Sequence, residues 1–276
     1  MKLIAAPAHL APWVLGVSIL RTAAAISFSV PAHALACLTV VLRGQLSSPG
    51  GAGPLLSAGS MLGSGSATEA RPFAGSAGLV CATLLCRASV LPQLTGEHAS
   101  VFCDAAVPPE IFGSFDTERL MLQDASDHGL ARALFCVVDS RLRAMRAPRP
   151  AALRFAQALA SWSEDCHVRT ATALPDGWSE RQWQRACQAE LGVTPKLLGR
   201  LTRLHASVRL RAKSETAAWA GHALDAGFYD QAHMGREYRL LAGVSPAQSL
   251  GGTMQNSSSS PLWLGATQLA PSFFSA

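Results

Sequence analysis

A chain of 276 residues with 49% apolar and only 15% charged residues carries enough apolar material for two modest cores, which excludes general disorder. Its formal net charge of +5 favours a polyanionic partner, but many enzymes are as basic, so charge alone assigns no function. Seven cysteines, at positions 37, 81, 86, 103, 136, 166 and 187, form no Cys-x-x-Cys pair and no zinc-finger spacing, as suits a reducing compartment. The adjacent Cys166 and His167 would point in divergent directions on a helix, so no metal and no cofactor is assigned.

Lys2 followed by apolar residues invites comparison with a signal peptide, but Pro7, Pro12 and Arg21 interrupt the run before the roughly 18 residues that a membrane helix needs. A soluble, cytoplasmic chain that does not enter a membrane is expected. Leu35 to Leu42 and Leu79 to Leu85 are short, rich in Val, Leu, Thr and Cys, and bounded by Pro, Gly and Arg, which predicts buried strands. Between them, residues 47–78 are crowded with Gly, Ser, Pro and Ala, suited to turns between short strands or to a loop. From about Pro108 the pattern turns helical: Phe115 to Leu120 opens an amphipathic stretch, and Ala131 to Arg146 places Leu134, Val138 and Leu142 on one stripe. Arg141, Arg143, Arg146 and Arg149, with Pro148 and Pro150, mark a junction. The expected fold is α+β, with a β-rich regulatory domain at 1–107, a helical connecting segment at 108–149, an all-α domain at 150–250 and a Ser-rich tail at 251–276.

Two similar units occupy 150–250. In the second, an alanine-rich run from Ala217 to Ala226 ends at Gly227-Phe228, Asp230 caps a new helix, and Met234 and Tyr238 supply its inward stripe. Gly243-Val244-Ser245-Pro246 closes that helix. In the first, Gly177-Trp178 is followed by Ser179 as N-cap and by a helix-favouring run in which Trp183, Cys187 and Leu191 share a face, closed by Gly192-Val193-Thr194-Pro195. Ala173 precedes Gly177 by four positions as Ala223 precedes Gly227, each a small residue that lets two helices cross closely. Two short helices with a Gly turn are the helix-turn-helix plan, and its recurrence is an internal repeat. Between the units, Pro195 to Lys213 predicts a long helix with Leu197, Leu201, Leu204 and Val208 on one face and Lys196, Arg200, Arg203 and Arg211 largely elsewhere.

These paired units, their Gly-x-[ST]-Pro endings and the joining helix resemble the AraC/XylS family of bacterial transcription regulators over roughly residues 150–250. The resemblance implies a DNA-binding module in which a long central helix holds two helix-turn-helix units, both recognition helices entering successive major-groove segments of promoter DNA. It also implies RNA polymerase as a partner, and a front half that senses a small-molecule effector or pairs subunits into a homodimer. Side chains in the first turns of each recognition helix point away from the apolar stripe. In the first unit these are Arg181, Gln182, Gln184 and Arg185, and Arg and Gln are suited to bidentate bonds with guanine and adenine. In the second unit the matching positions are Gln231, Ala232, His233, Gly235 and Arg236, of which Gln231, His233 and Arg236 are long enough to reach bases.

Several residues depart from that pattern. Pro175 falls where the first scaffold helix is expected and would cost it ~3 kcal/mol, Thr172 and His222 replace the family's usual Leu or Ile, and Gly221 weakens the second scaffold helix by roughly 1 kcal/mol. The bland reading of His222 is a core-edge histidine with one hydrogen bond. The alternative to a DNA-binding regulator is an interaction protein descended from one, its first unit decayed. Cys103-Asp104 with His98 could be imagined as a nucleophile and base, but no oxyanion motif, phosphate loop or carboxylate pair accompanies them, so no enzyme is expected.

Overall fold

The structure is a computed structural model that describes residues 2–48, 55–116, 126–144, 150–165, 174–213 and 218–250. Among the described residues, the N-terminal half holds ten strands. A six-stranded antiparallel sheet has the order β1 (Lys2–Ala5), β2 (Val14–Arg21), β9 (Val80–Arg87), β4 (Leu35–Arg43), β7 (Met61–Ser64), β10 (Ala106–Val107). A second sheet has the order β3 (Ile26–Val30), β8 (Arg71–Gly75), β5 (Gln45–Ser47), β6 (Leu56–Ser57). Within the crowded 47–78 stretch, the described residues 55–78 form turns between short strands.

Alternation along the central strands sends two sets of side chains to opposite faces. Val17 and Ile19 of β2, Leu38 and Val40 of β4, and Ala82 and Leu84 of β9 are buried under helix α2 (Asp127–Arg143), which gives Leu130, Leu134 and Val138 to the same core. Leu20, Val41 and Cys81 face the second sheet and pack with Leu46, Phe28 and Phe73. Burial on both faces is why β4 and β9 read as continuous apolar runs. Thr39 and Thr83 are opposite each other in the β4–β9 register, and their hydroxyls meet at 3.0 Å.

The helices add one element to the β-rich stretch and correct the sequence in two places. The 1–107 stretch, expected to be β-rich, also contains α1 (Val90–Thr95), whose Pro92 sits in the first turn, where a helix donates no amide bond. Helix α2 begins at Asp127 on the Ser126 cap, while Phe115 and Asp116 are not helical and residues 117–120 lie outside the described ones. Pro175 is not inside a helix. Leu174 and Pro175 are irregular, and the Pro175 carbonyl accepts from Trp178 N (3.1 Å) across a turn that carries Gly177 at φ +74°, so no helical bond is lost. Thr172, Ala173, Ala217, Arg146, Pro148, Arg149, Cys166, His167 and the tail lie outside the described residues.

The C-terminal helices are α3 (Pro150–Asp165), α4 (Glu180–Leu191), α5 (Pro195–Lys213), α6 (Trp219–Asp225), α7 (Gln231–Ala242) and α8 (Pro246–Leu250). Leu197, Leu201, Leu204 and Val208 of α5 are buried, together with Leu198, in one core shared by α3, α4, α6 and α7. Among the described residues, no helix is long and apolar enough to cross a membrane.

Gly221 is exposed near the start of α6, and a Cβ built on it would meet nothing within 4 Å. Gly221→Ala is expected to raise unfolding stability by about 0.5–1 kcal/mol, because alanine loses less backbone entropy in a helix. An unchanged or lower denaturant midpoint would count against the helical assignment at this position.

Candidate nucleic-acid interface

Each recognition helix is built from a capped start and a left-handed glycine stop. Ser179 caps α4: its Oγ accepts from Gln182 N (3.3 Å), and Gln182 Oε1 accepts from Ser179 N (3.0 Å), a reciprocal capping box. Asp230 caps α7 by accepting from His233 N at 2.6 Å. The repeated Gly-Val-[Thr/Ser]-Pro motif does more than end these helices. Gly192 and Gly243 stop α4 and α7 at φ +75° and +73°, Thr194 and Ser245 cap α5 and α8, and Pro195 and Pro246 are the first residues of those helices.

Caps and stops fix which side chains face out. Trp183, Cys187 and Leu191 of α4, and Met234, Tyr238 and Leu241 of α7, are buried. Arg181, Gln184, Arg185, Gln231, Ala232 and Arg236 are exposed. Gln182 is exposed too, with its amide oxygen committed to the capping box. His233 is half-buried: its Nδ1 accepts from Tyr229 N (3.2 Å) and its ring meets the buried Phe228 edge-on at 5.7 Å. The outer face of α7 also carries Arg239, and with Trp219 and Ser245 it lines an open groove. Tyr229, in the turn ahead of α7, is 84% exposed. The sequence reading did not single out Arg239 or Tyr229; Arg239's place three residues after Arg236 and Tyr229's beside the Asp230 cap were the available signal.

The scaffold behind this face carries buried polar contacts as well as apolar ones. Ser207 of α5 lies 2.9 Å from His222 Nε2 and 2.8 Å from the Tyr238 hydroxyl, joining α5, α6 and α7 in a buried hydrogen-bonded trio. Burial, then the nearby Arg211 charge, lowers the His222 pKa and keeps the ring neutral. Arg200 of α5 pairs with Glu237 of α7 at 2.7 Å in a mostly buried contact. The first unit is braced by aromatics instead: Phe155 of α3, Trp178 and Trp183 pack ring to ring with centroids 5.3–6.5 Å apart. Arg154 stacks on Trp178 and donates to the Gly177 carbonyl (3.1 Å), which holds the turn.

The Cys103–Asp104 pair lies elsewhere and is not poised for attack. Burial, and then Asp104, push the thiol up to about 11, the reverse of nucleophile activation. Among the described residues, no group of His, Cys, Asp and Glu could hold a metal ion.

Two recognition helices presented from a common scaffold define a DNA-binding protein of the helix-turn-helix class. Residues 177–250 match the family model described as a helix-turn-helix domain, and this part of the chain is a helix-turn-helix domain of the AraC type. No curated protein matches the chain in sequence. Among solved structures, ToxT from Vibrio cholerae O395 is similar at 11% identity and a TM-score of 0.42, over 87% of this chain and 98% of that one. Wild-type ToxT from Vibrio cholerae strain SCE256 with bound unsaturated fatty acid is similar at 12% identity and a TM-score of 0.41, over 87% and 95%.

Two outcomes follow from the buried polar groups. Ser207→Ala leaves the His222 ring nitrogen and the Tyr238 hydroxyl without their shared partner and is expected to cost roughly 2–3 kcal/mol in denaturant unfolding, where an isolated serine would cost under about 1. Separately, His33, buried between the two sheets, is pushed down to about 4 by burial first and by Arg71 second. Its folded pKa lies below the unfolded value of 6.5, so the unfolded chain takes the proton first. That stability is intact above pH 6.5 and is lost as pH falls, by roughly 3 kcal/mol at pH 4. A His33→Leu variant should show a correspondingly shallower acid loss in urea titrations at pH 7 and 4.5; parallel curves would refute the assignment.

Proposed function

We propose that this DNA-binding transcription regulator reads two successive major-groove segments of promoter DNA, one with α4 and one with α7. The observation that supports it best is the pair of exposed polar faces on a single rod. Helix α5 spans 19 residues, roughly 28 Å at 1.5 Å per residue, close to the ~34 Å that separates equivalent major-groove segments on one face of the duplex. Arg181, Gln184 and Arg185 carry base contact in the first unit, and Gln231 and Arg236 in the second, with His233 beside them. Gln182 holds the first cap and meets DNA through its remaining amide donors. The two-unit reading has support over that of a regulator with a decayed first unit, because the first unit's cap, stop and apolar stripe are as well formed as the second's.

The signal enters through the N-terminal half. An apolar cavity of about 190 Å³ lies between the two halves, lined by Trp13, Leu35 and Arg87 on one side and by Phe155, Leu191 and Leu198 on the other. A small apolar molecule there would touch both the sheet and the first recognition helix, as a sensor of a cytoplasmic signal requires. The same reading places RNA polymerase and a second copy of the chain as partners at the promoter.

The test is in vitro selection of duplex DNA from a randomised pool with the full chain, followed by binding of the enriched duplex. Arg185→Ala and Arg236→Ala should each weaken specific binding by about 1–3 kcal/mol with normal circular dichroism, since each removes an exposed guanine-reading group. Equal affinity for enriched and random duplex would overturn the sequence-reading role, and unchanged affinity in Arg185→Ala alone would remove α4 from it.

A further inference from the structure

Two segments of the N-terminal half bond directly to the ends of both recognition helices. Residues 32–33 and 66–71 run together, joined by a reciprocal His33–Ala67 backbone bridge with both bonds at 2.9 Å. From this strap Ser66 Oγ donates to the Leu191 carbonyl at the end of α4 (2.5 Å). Ala32 N donates to the Leu241 carbonyl (2.7 Å) and Ala70 N to the Leu240 carbonyl (3.1 Å) at the end of α7. Carbonyls in a helix's last turn have no partner within the helix, so these three bonds satisfy groups that would otherwise need water.

The two stop glycines record the same approach independently. A Cβ on Gly192 would come within 2.8 Å of the Ala99 carbonyl oxygen, and one on Gly243 would run into Ser29 and Ala70. Both recognition helices therefore end flush against the β-rich body.

The strap is held by Asp104. Its amide donates to the Ser66 carbonyl (2.8 Å), and its carboxylate accepts from Thr68 N (3.0 Å), Thr68 Oγ1 (2.6 Å) and Arg71 Nη2 (2.9 Å). It does so at φ +56°, the one non-glycine with positive φ among the described residues. A conformation this uncommon persists where surrounding bonds over-determine it.

We propose that this strap sets the DNA spacing that the protein accepts, with Asp104 as its positioning residue. The inference rests on the reading that α4 and α7 both bind DNA. Anchoring each helix at its C-terminal end leaves its N-terminal turns free for the groove while fixing the distance and phase between the two. One added base pair shifts the second segment by about 3.4 Å and rotates it by roughly 35°, which a rigid pair of helices cannot follow and a loosened pair can.

The experiment uses the full chain as wild type, Asp104→Ala, Asp104→Asn and Ser66→Ala, with two readouts. Without DNA, hydrogen exchange at the Ala32 and Ala70 amides should be about tenfold faster in Asp104→Ala while β2, β4 and β9 keep their protection, and Asp104→Asn should fall between. Unchanged protection at both amides in folded Asp104→Ala overturns the strap. With DNA, the duplex enriched by the wild type is lengthened by one base pair between its two contacted segments. Wild type should lose about tenfold or more in affinity and Asp104→Ala only about two- to threefold, as expected when preorganisation is relaxed. Equal losses overturn the spacing role. If Asp104→Ala does not fold, Ser66→Ala decides by the same two measures, with faster exchange confined to the last turn of α4. Enrichment of no duplex would bring down the DNA reading and the spacing role with it, whereas the exchange result would still tell whether the strap exists.

Discussion

One face of α5 is the surface on which the C-terminal half is assembled. Leu197, Leu198, Leu201, Leu204 and Val208 give it an apolar stripe that buries against α3, α4, α6 and α7, and burial of that kind is non-directional. A purely apolar stripe would tolerate small slides of one helix over another. Ser207 removes that freedom, because any displacement of α6 or α7 would break its buried bonds to the His222 ring or to the Tyr238 hydroxyl. The Arg200–Glu237 pair constrains α5 and α7 at a second point, where separating one partner would strand a mostly buried charge. Apolar area supplies the association, and these few polar contacts specify the register.

The same geometry separates residues that fold the protein from residues that face its partner. Along α4 and α7 the inward positions are filled by Trp183, Cys187, Leu191, Met234, Tyr238 and Leu241, and the outward positions by Arg181, Gln184, Arg185, Gln231 and Arg236. A substitution on the outward face leaves the core contacts untouched, so the sequence preference of the interface can change without a stability penalty. His233 and Gln182 are exceptions, since each lies on the outer side but also bonds a helix start. Changes at these two positions combine a contact effect with a capping effect of ~1 kcal/mol.

Much of this was legible in the sequence because helix punctuation is local chemistry. The Ser179 and Asp230 caps, the glycine stops, the full extent of α5 and the apolar runs of β4 and β9 all depend on residues within a few positions of one another. What was misread or left unassigned depended on context. Pro175 is compatible with a turn or with a broken helix, and only the Trp178–Pro175 bond distinguishes them. Val90 to Thr95 drew no assignment; Pro92 inside its short apolar run is compatible with a helix only in the first turn, where it lies. The Phe155–Trp178–Trp183 cluster and the Ser207 trio join positions far apart in sequence, where no spacing rule reaches.

The Gly-Val-[Thr/Ser]-Pro repeat shows how a local rule can hide a long-range one. Read locally, Gly192 and Gly243 need only their left-handed conformation, for which asparagine would be a fair substitute. In the folded chain both also lie against backbone or side chains of the N-terminal half, and neither has room for a Cβ. A repeated motif is thus met twice by a partner that is not itself repeated. The β-rich half contacts α4 through Ala99 and Ser66, and α7 through Ser29, Ala32 and Ala70, so its own rigidity enters the relation between the two helices. Helix α5 joins the units at one place and the β-rich half at a second, and this second connection restrains their relative twist and bend, because two bodies joined at two separated points have fewer soft motions than two joined at one.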